Sequence, residues 1–351
     1  MSDRGATIAT TAISSVAGAL DGLALVVRRP LVAGPIDAFF PLRPGDRALV
    51  EVGQAVVRDG PLAERLREPR TAVIAGPPSG AFVSPGDTWT PSTHHRGRGR
   101  AEEPGGELLF RIGSRWRVAT GDAMDPLDAP FPGIVREVRH GIGIRLRSPA
   151  RGVLGKEVLA GPTSGRLEIA TGPDGELRAP QVDVGAAGAI LVAGARIDAE
   201  ALTRARAVGV RGVIVAALGI KERRDFLASE RRGRAGVHGV HPFGILVLDG
   251  AARRPIASPV MAILEALEGR TVAIVGDPPC LVLDDPDLEL PLPARDLVRV
   301  RSGPLAGAEG TWVGLAGPRR YPAGVSLESG FVRFGDRPPI AVPLGDLERF
   351  A

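Results

Sequence analysis

Short apolar runs, broken every few residues by glycine or proline, dominate the first half of the chain, and such runs read as brief strands rather than helices. An apolar stretch from Leu23 to Val27, followed by Arg28-Arg29-Pro30, predicts an N-terminal strand. Further strands are expected at Ala48 to Val57, Leu108 to Ile112, Trp116 to Val118, Ile134 to Val138 and Gly143 to Leu146. Between them, 75–106 is dominated by Gly, Pro, Ser, Thr and charge without apolar periodicity, which predicts a mobile loop. The period changes near Gly185. Unbroken apolar runs at Gly188 to Ala193, Val210 to Ala217, Phe243 to Leu248 and Thr271 to Val275 alternate with three helical patterns. Asp198 is placed to cap the first helix, Ala199 to Val208, and a charged second helix is expected from Lys221 to Arg232. The third starts at Ser258 with Pro259 in its first turn and stops at Gly269. Apolar strands alternating with helices imply an open, mostly parallel sheet covered on both faces. A Pro/Asp/Leu-rich linker follows at 281–293, and 294–351 returns to alternating strands.

Composition narrows the classes. At 351 residues and 44% hydrophobic, the chain is long and apolar enough for two or three domains with their own cores. The single cysteine, Cys280, excludes an internal disulfide framework, and the chain lacks the pattern of a secretory signal, so a cytoplasmic location is expected. No apolar run approaches the ~20 residues needed to cross a bilayer, so no membrane partner is expected. The net charge is only +4, yet of the 44 basic residues all but Lys156 and Lys221 are arginine. Guanidinium groups pair bidentately with phosphates, whereas a coding bias toward Ala, Gly, Arg and Pro produces the same excess without a ligand. The 40 acidic residues nearly balance the basic ones, so only local clusters of arginine carry functional meaning.

The C-terminal pattern is Leu297-Val-Arg-Val300, a Gly303-Pro304 turn, Gly310-Thr-Trp312-Val313, Gly330-Phe-Val-Arg-Phe334 and Ile340-Ala-Val-Pro343-Leu-Gly-Asp-Leu347-Glu. It resembles the KOW module of NusG-type transcription factors, a five-stranded SH3-like barrel. In the N-terminal half, Pro44-Gly-Asp46 with Val52-Gly53-Gln54, and Ala129-Pro130 with Gly133-Ile134-Val135, resemble the two halves of a barrel-sandwich hybrid, the fold of lipoyl and biotinyl carriers. Lys156 lacks the flanking residues of a modified carrier lysine, so the resemblance concerns architecture and no cofactor is expected. The expected fold is multi-domain α/β plus β. It comprises a barrel-sandwich-like β region at 1–184, an α/β domain at 185–280, the linker at 281–293 and an SH3-like barrel at 294–351.

KOW modules sit on RNA, ribosomal proteins or transcription factors, so the resemblance implies a docking surface built from Arg299 and Arg301 on the first strand, Arg319, Arg320 and Tyr321 on a long loop, and Arg333. A cation beside an aromatic pairs a phosphate and stacks a base. The same residues also suit a solvated face packed on a neighbouring domain. Arg96 to Arg100, beside His94 and His95, reads either as a nucleic-acid-binding arm or as a solvated loop. Arg223, Arg224, Arg231, Arg232 and Arg234 alternate with Asp225 and Glu230, which favours pairing along a helix. His238 and His241 have metal-like spacing, with Cys280 one or two strands away, but zinc ligands cluster more tightly and Gly-Val-His-Pro reads as a loop entering a buried strand, so no metal is expected. Gly185-Ala-Ala-Gly188 precedes a strand instead of following one, which excludes a dinucleotide fingerprint. At the expected strand ends, Arg196, Lys221, Asp249 and Asp277 form a candidate small-anion or acid-base set. No Ser-His-Asp, Cys-His or phosphate-cradling pattern names a catalytic residue. The sequence therefore reads as a non-enzymatic scaffold or binding protein docking on nucleic acid or a nucleoprotein complex. The alternatives are a structural subunit with protein partners, and an enzyme acting at the α/β strand ends.

Overall fold

The computed structural model describes residues 20, 22–23, 25–32, 34–42, 46–66, 70–75, 83–84, 87–90, 105–121, 124–234, 243–285 and 287–351; for 66, 70, 107 and 231–234 it describes the backbone alone. Among the described residues the protein is strand-rich, 49% strand against 14% helix, with its strands spread over several sheets. Two compact units are present: one comprises Met1–Ala38, Arg147–Ala228 and His241–Ala351, the other Phe39–Leu146 and Ser229–Val240. Among the described residues no helix is long and apolar enough to cross a membrane.

The larger unit is built on a nine-stranded sheet in the order Glu157–Ala160, Gly244–Gly250, Gly212–Ala217, Ala189–Val192, Thr163–Ile169, Thr271–Gly276, Pro279–Leu283, Arg151–Leu154 and Leu31–Val32. Ala189–Val192 and Gly212–Ala217 are apolar or glycine at every position because both faces are covered. Ile190, Val192, Ile214, Leu246 and Ile274 face Val260, Ile263 and Leu264 of helix α3 (Ser258–Ala266). The intervening Leu191, Val213, Val215, Ile245 and Val247 face Ala201, Leu202 and Ala205 of α1 (Ala199–Val208) and Phe226 of α2 (Ile220–Arg234). Asp198 caps α1, its carboxylate accepting the Ala201 amide at 2.5 Å, as the sequence implied.

The mostly parallel sheet expected over 185–280 needs correcting. Four strands run parallel, Thr163–Ile169, Ala189–Val192, Gly212–Ala217 and Gly244–Gly250, and the strands on either side of them are antiparallel. The reversal at Thr271–Gly276 follows from the path of α3, which starts and finishes near the same edge of the sheet. The Ile256 amide donates to Pro173 O just before α3, and the Gly269 amide donates to Leu167 O just after it. The next strand therefore begins at that edge and runs back. Nor does the boundary at 184–185 separate two units, since Thr163–Ile169 lies in the same sheet. The linker drawn from residue 281 starts too early: Pro279–Leu283 is a paired strand, and Leu288 and Leu290 pack on the core.

The second sheet of this unit has six strands, in the order Val26–Arg28, Leu347–Phe350, Leu297–Val300, Glu309–Arg320, Ser326–Arg333 and Ile340–Pro343. The N-terminal strand was expected to belong to the 1–184 region. It pairs instead in parallel with Leu347–Phe350, and Leu20 and Leu25 enter the core formed by Val298, Val300, Trp312, Val332, Val342 and Leu347.

The smaller unit contains short sheets. One has the order Arg70–Ile74, Arg115–Gly121, Gly106–Ile112 and Thr88–Trp89, and a second the order Met124–Asp128, Pro61–Leu66 and Arg47–Ala48. Gly133–Arg139 pairs with Ala55–Val56 in a third. Its interior includes Phe40 against Phe131, ring centres 6.2 Å apart, and a cluster of Ile74, Leu108, Trp116 and Val118. Most of the expected loop at 75–106 lies outside the described residues.

Candidate nucleic-acid interface

The hairpin formed by Glu309–Arg320 and Ser326–Arg333 carries most of the arginines singled out in the C-terminal segment. Its base is anchored by Trp312, which is buried and rests on Gly330. A Cβ at Gly330 would lie 1.9 Å from the indole ring, so only glycine allows that contact. Its tip is closed by Tyr321 to Val325, where the Gly324 amide donates to Tyr321 O at 2.8 Å and Gly324 adopts φ +80°.

Because side chains alternate along a strand, Arg319, Leu327, Ser329, Phe331 and Arg333 share the outer face of the hairpin. The Arg319 guanidinium lies over the Phe331 ring, 5.5 Å from its centre, and its Nε donates to Ala316 O at 3.2 Å. Ser329 Oγ donates to Leu327 O at 2.9 Å, so the Tyr321 hydroxyl donates to Ser329 at 2.8 Å. Tyr321 is thus half-buried and tethered, and the aromatic carrying a guanidinium is Phe331, which the sequence reading passed over as an ordinary strand residue. The signal was present: Phe331 stands two residues before Arg333 and therefore on the same face. Arg320 and Arg333 are exposed, and among the described residues neither meets a carboxylate. Arg333 stands six residues from Leu327, the partner of Arg319, so the arginines spread over roughly 20 Å of strand.

Arg299 is a correction. Its side chain is 1% exposed and chelates both carboxylate oxygens of Asp249, at 3.0 and 3.3 Å, while donating to Pro255 O at 2.8 Å. Arg28 donates to the same carboxylate, and Glu348 lies 3.6 Å from both guanidiniums. The strand Leu297–Val300 is buried on both faces, between its own sheet and Gly244–Gly250, so Arg299 has no route to solvent. Arg301 sits at the rim of the cluster, half-exposed and 3.9 Å from Glu348.

The same geometry removes Asp249 from the small-ligand set. Burial is the strongest influence on its carboxyl and pushes upward, but Arg28 and Arg299 together outweigh it and hold the group below the usual carboxylate range. It is an internal counter-ion. Arg196 is engaged by Glu222 at 3.0 Å. Glu222 is itself held low, chiefly by a hydrogen bond from its own backbone at the first turn of α2, against the opposing pull of burial. Lys221 is exposed beside it. Asp277 follows the antiparallel strand Thr271–Gly276, which ends beyond Thr163, the opposite edge of the sheet from Asp249 and Arg196. The four residues therefore do not converge. An open cleft of about 580 Å³ between α3 and the Gly307–Glu309 segment is lined by Pro173, Met261, Glu265, Glu309 and Phe334 among others, and by none of the four.

Arg223 pairs with Glu157 at 2.8 Å and Arg224 with Asp225 at 3.1 Å, so this part of the helix is neutralised locally. Arg96 to Arg100, His238 and His241 lie outside the described residues. Among the described residues, no three His, Cys, Asp or Glu side chains gather as a metal requires. Cys280 is buried, which pushes its thiol up to about 12. No protein-family model and no curated protein matches the chain.

Proposed function

We propose that this chain is a non-enzymatic binding protein that docks on nucleic acid, free or within a transcription or translation complex, through the outer face of the hairpin Glu309–Arg333. The observation that carries the reading is a set of arginines without carboxylate partners, Arg319 and Arg333 on that face and Arg320 on the other side near the hairpin tip, with Arg319 stacked on Phe331. Guanidinium groups left unneutralised at the surface attract phosphate, and a ring beside them offers a base a stacking partner. In this reading the six-stranded sheet is a KOW-type SH3-like module. The small sheets of the 39–146 unit belong to a barrel-sandwich hybrid, and the four parallel strands with their helices to an α/β domain that carries the module.

The test is fluorescence anisotropy with labelled single- and double-stranded RNA and DNA, at salt from about 50 to 300 mM. Affinity is expected to fall linearly on logarithmic axes. Replacing Arg319, Arg320 and Arg333 together by alanine should lower the single-strand slope by about 2, at roughly 0.7 per phosphate contact. Absence of association at the lowest salt, or a slope unmoved by the triple variant, overturns the reading. A protein partner is the second reading, favoured by Leu315, Val325 and Leu327, which stand 60%, 48% and 41% exposed on the same hairpin. A stable homo-oligomer in light scattering, dissociated by Leu315→Asp, would support it.

A further inference from the structure

We infer that the outer face of the four-stranded sheet in the smaller unit is a second platform for single-stranded nucleic acid, with Phe110 as the stacking ring and Arg115 and Arg117 as phosphate contacts. The inference rests on the reading that the protein binds nucleic acid, but on different residues in a different unit.

Strand pairing sets one row of side chains across three strands. Val73 stands opposite Arg117, and Arg117 opposite Phe110; one row along, Arg115 stands opposite Ile112. The intervening residues, Trp116, Val118, Ile74 and Leu108, turn inward and form the core. The outward face is thereby left with Val73, Phe110 and Ile112, each about half-exposed at 49%, 48% and 48%. An aromatic ring and two aliphatic side chains grouped on one exposed face offer a small apolar platform beside the two guanidiniums.

Charge and area indicate the occupant. Arg117 Nε donates to Thr71 Oγ1 at 3.0 Å, which leans the guanidinium toward Arg70–Ile74, across its own strand from Phe110. Arg111 stands opposite Trp116, on the other face, and spends its Nε on Gly113 O. Among the described residues no carboxylate pairs with Arg115 or Arg117, so the occupant supplies negative charge. Strands ~4.8 Å apart and side-chain rows ~7 Å apart make this patch roughly 10 by 7 Å. A stable protein interface covers about 800 Å² per partner, roughly ten times more. One or two stacked bases with their phosphates match the patch in both size and sign.

The test uses the full chain and a fluorescein-labelled twelve-residue oligouridine, with a duplex of equal length as control. Phe110→Ala is expected to weaken oligouridine binding about five- to a hundred-fold, Phe110→Trp to preserve it, and neither to alter duplex binding, whose bases are not open to stacking. Arg115→Ala with Arg117→Ala should lower the salt slope by about 1.4. Photocrosslinking with 4-thiouridine should place adducts on Gly106–Ile112. Because Phe110 lies outside the core, the melting temperature of Phe110→Ala should match the parent. If the hairpin triple variant loses binding while Phe110→Ala binds as the parent does and no adduct forms on Gly106–Ile112, this inference fails and the hairpin reading stands. If Phe110→Ala weakens binding and the triple variant does not, the hairpin reading fails and this one stands. No effect from either removes both, as does self-association that Phe110→Ala abolishes without changing oligouridine affinity.

Discussion

Arg299 and Asp249 show how far a residue's role depends on what folds over it. Fifty positions apart in sequence, they form a two-toothed ion pair from which water is excluded, with Arg28 and Glu348 completing the charge balance. A buried pair contributes little relative to apolar packing, but removing one partner strands the other charge away from water. Asp249→Ala is therefore expected to cost about 3 to 5 kcal/mol in urea unfolding, and a loss under about 1 would show that the pair is not desolvated in solution. The sign of the pH effect follows from the lowered carboxyl of Asp249. Its contribution is complete above the unfolded value of about 3.9 and is lost as pH falls through the lower folded value. Unfolding midpoints of the parent should fall on acidification below about pH 4, and Asp249→Asn should lack that part of the decline. Cys280, whose thiol is pushed up to about 12, should resist a thiol reagent at pH 8 in the native protein and react once it is unfolded.

At the scale of one element, the hairpin Glu309–Arg333 owes its shape to small residues placed where side chains cannot go. Trp312 occupies the space that a side chain at Gly330 would fill, within a core closed by Val298, Val332 and Val342. Gly330→Ala forces the ring or the strand to shift, for which about 1 to 3 kcal/mol is expected. Chemical denaturation followed by tryptophan fluorescence reads that loss, and an unchanged midpoint would mean the ring does not seat there. The alternation of apolar residues made the inner ends of both strands legible, near Trp312 and Phe331, whereas Arg319 and Arg320, expected on a long loop, continue the first strand. The register breaks between Trp312 and Gly314 and between Leu315 and Gly317 were not, because a bulge depends on the partner strand rather than on its own residues.

At the scale of the whole molecule, residues from the two ends of the chain share one sheet. Val26–Arg28 supplies an edge strand, Leu20 and Leu25 supply core, and Arg28 supplies a cation to Asp249. Deleting residues 1–28 should therefore lower the melting temperature followed by circular dichroism. An unchanged melting curve would contradict the parallel pairing with Leu347–Phe350.

Much of this architecture was local enough to read in advance. The apolar runs at Ala189–Val192, Gly212–Ala217 and Gly244–Gly250 and the Asp198 cap each depend on a few neighbouring residues, and their physics is contained in short windows of sequence. What the tertiary structure alone decided is which segments meet. It reversed Thr271–Gly276, moved the N-terminal strand onto the C-terminal sheet, buried Arg299 and Asp249 against each other, and turned Phe110 and Phe331 outward beside arginines. A guanidinium has the same intrinsic chemistry at Arg299 as at Arg320. Only the presence or absence of a buried carboxylate, brought close by a distant strand, decides whether it holds the fold together or faces solvent.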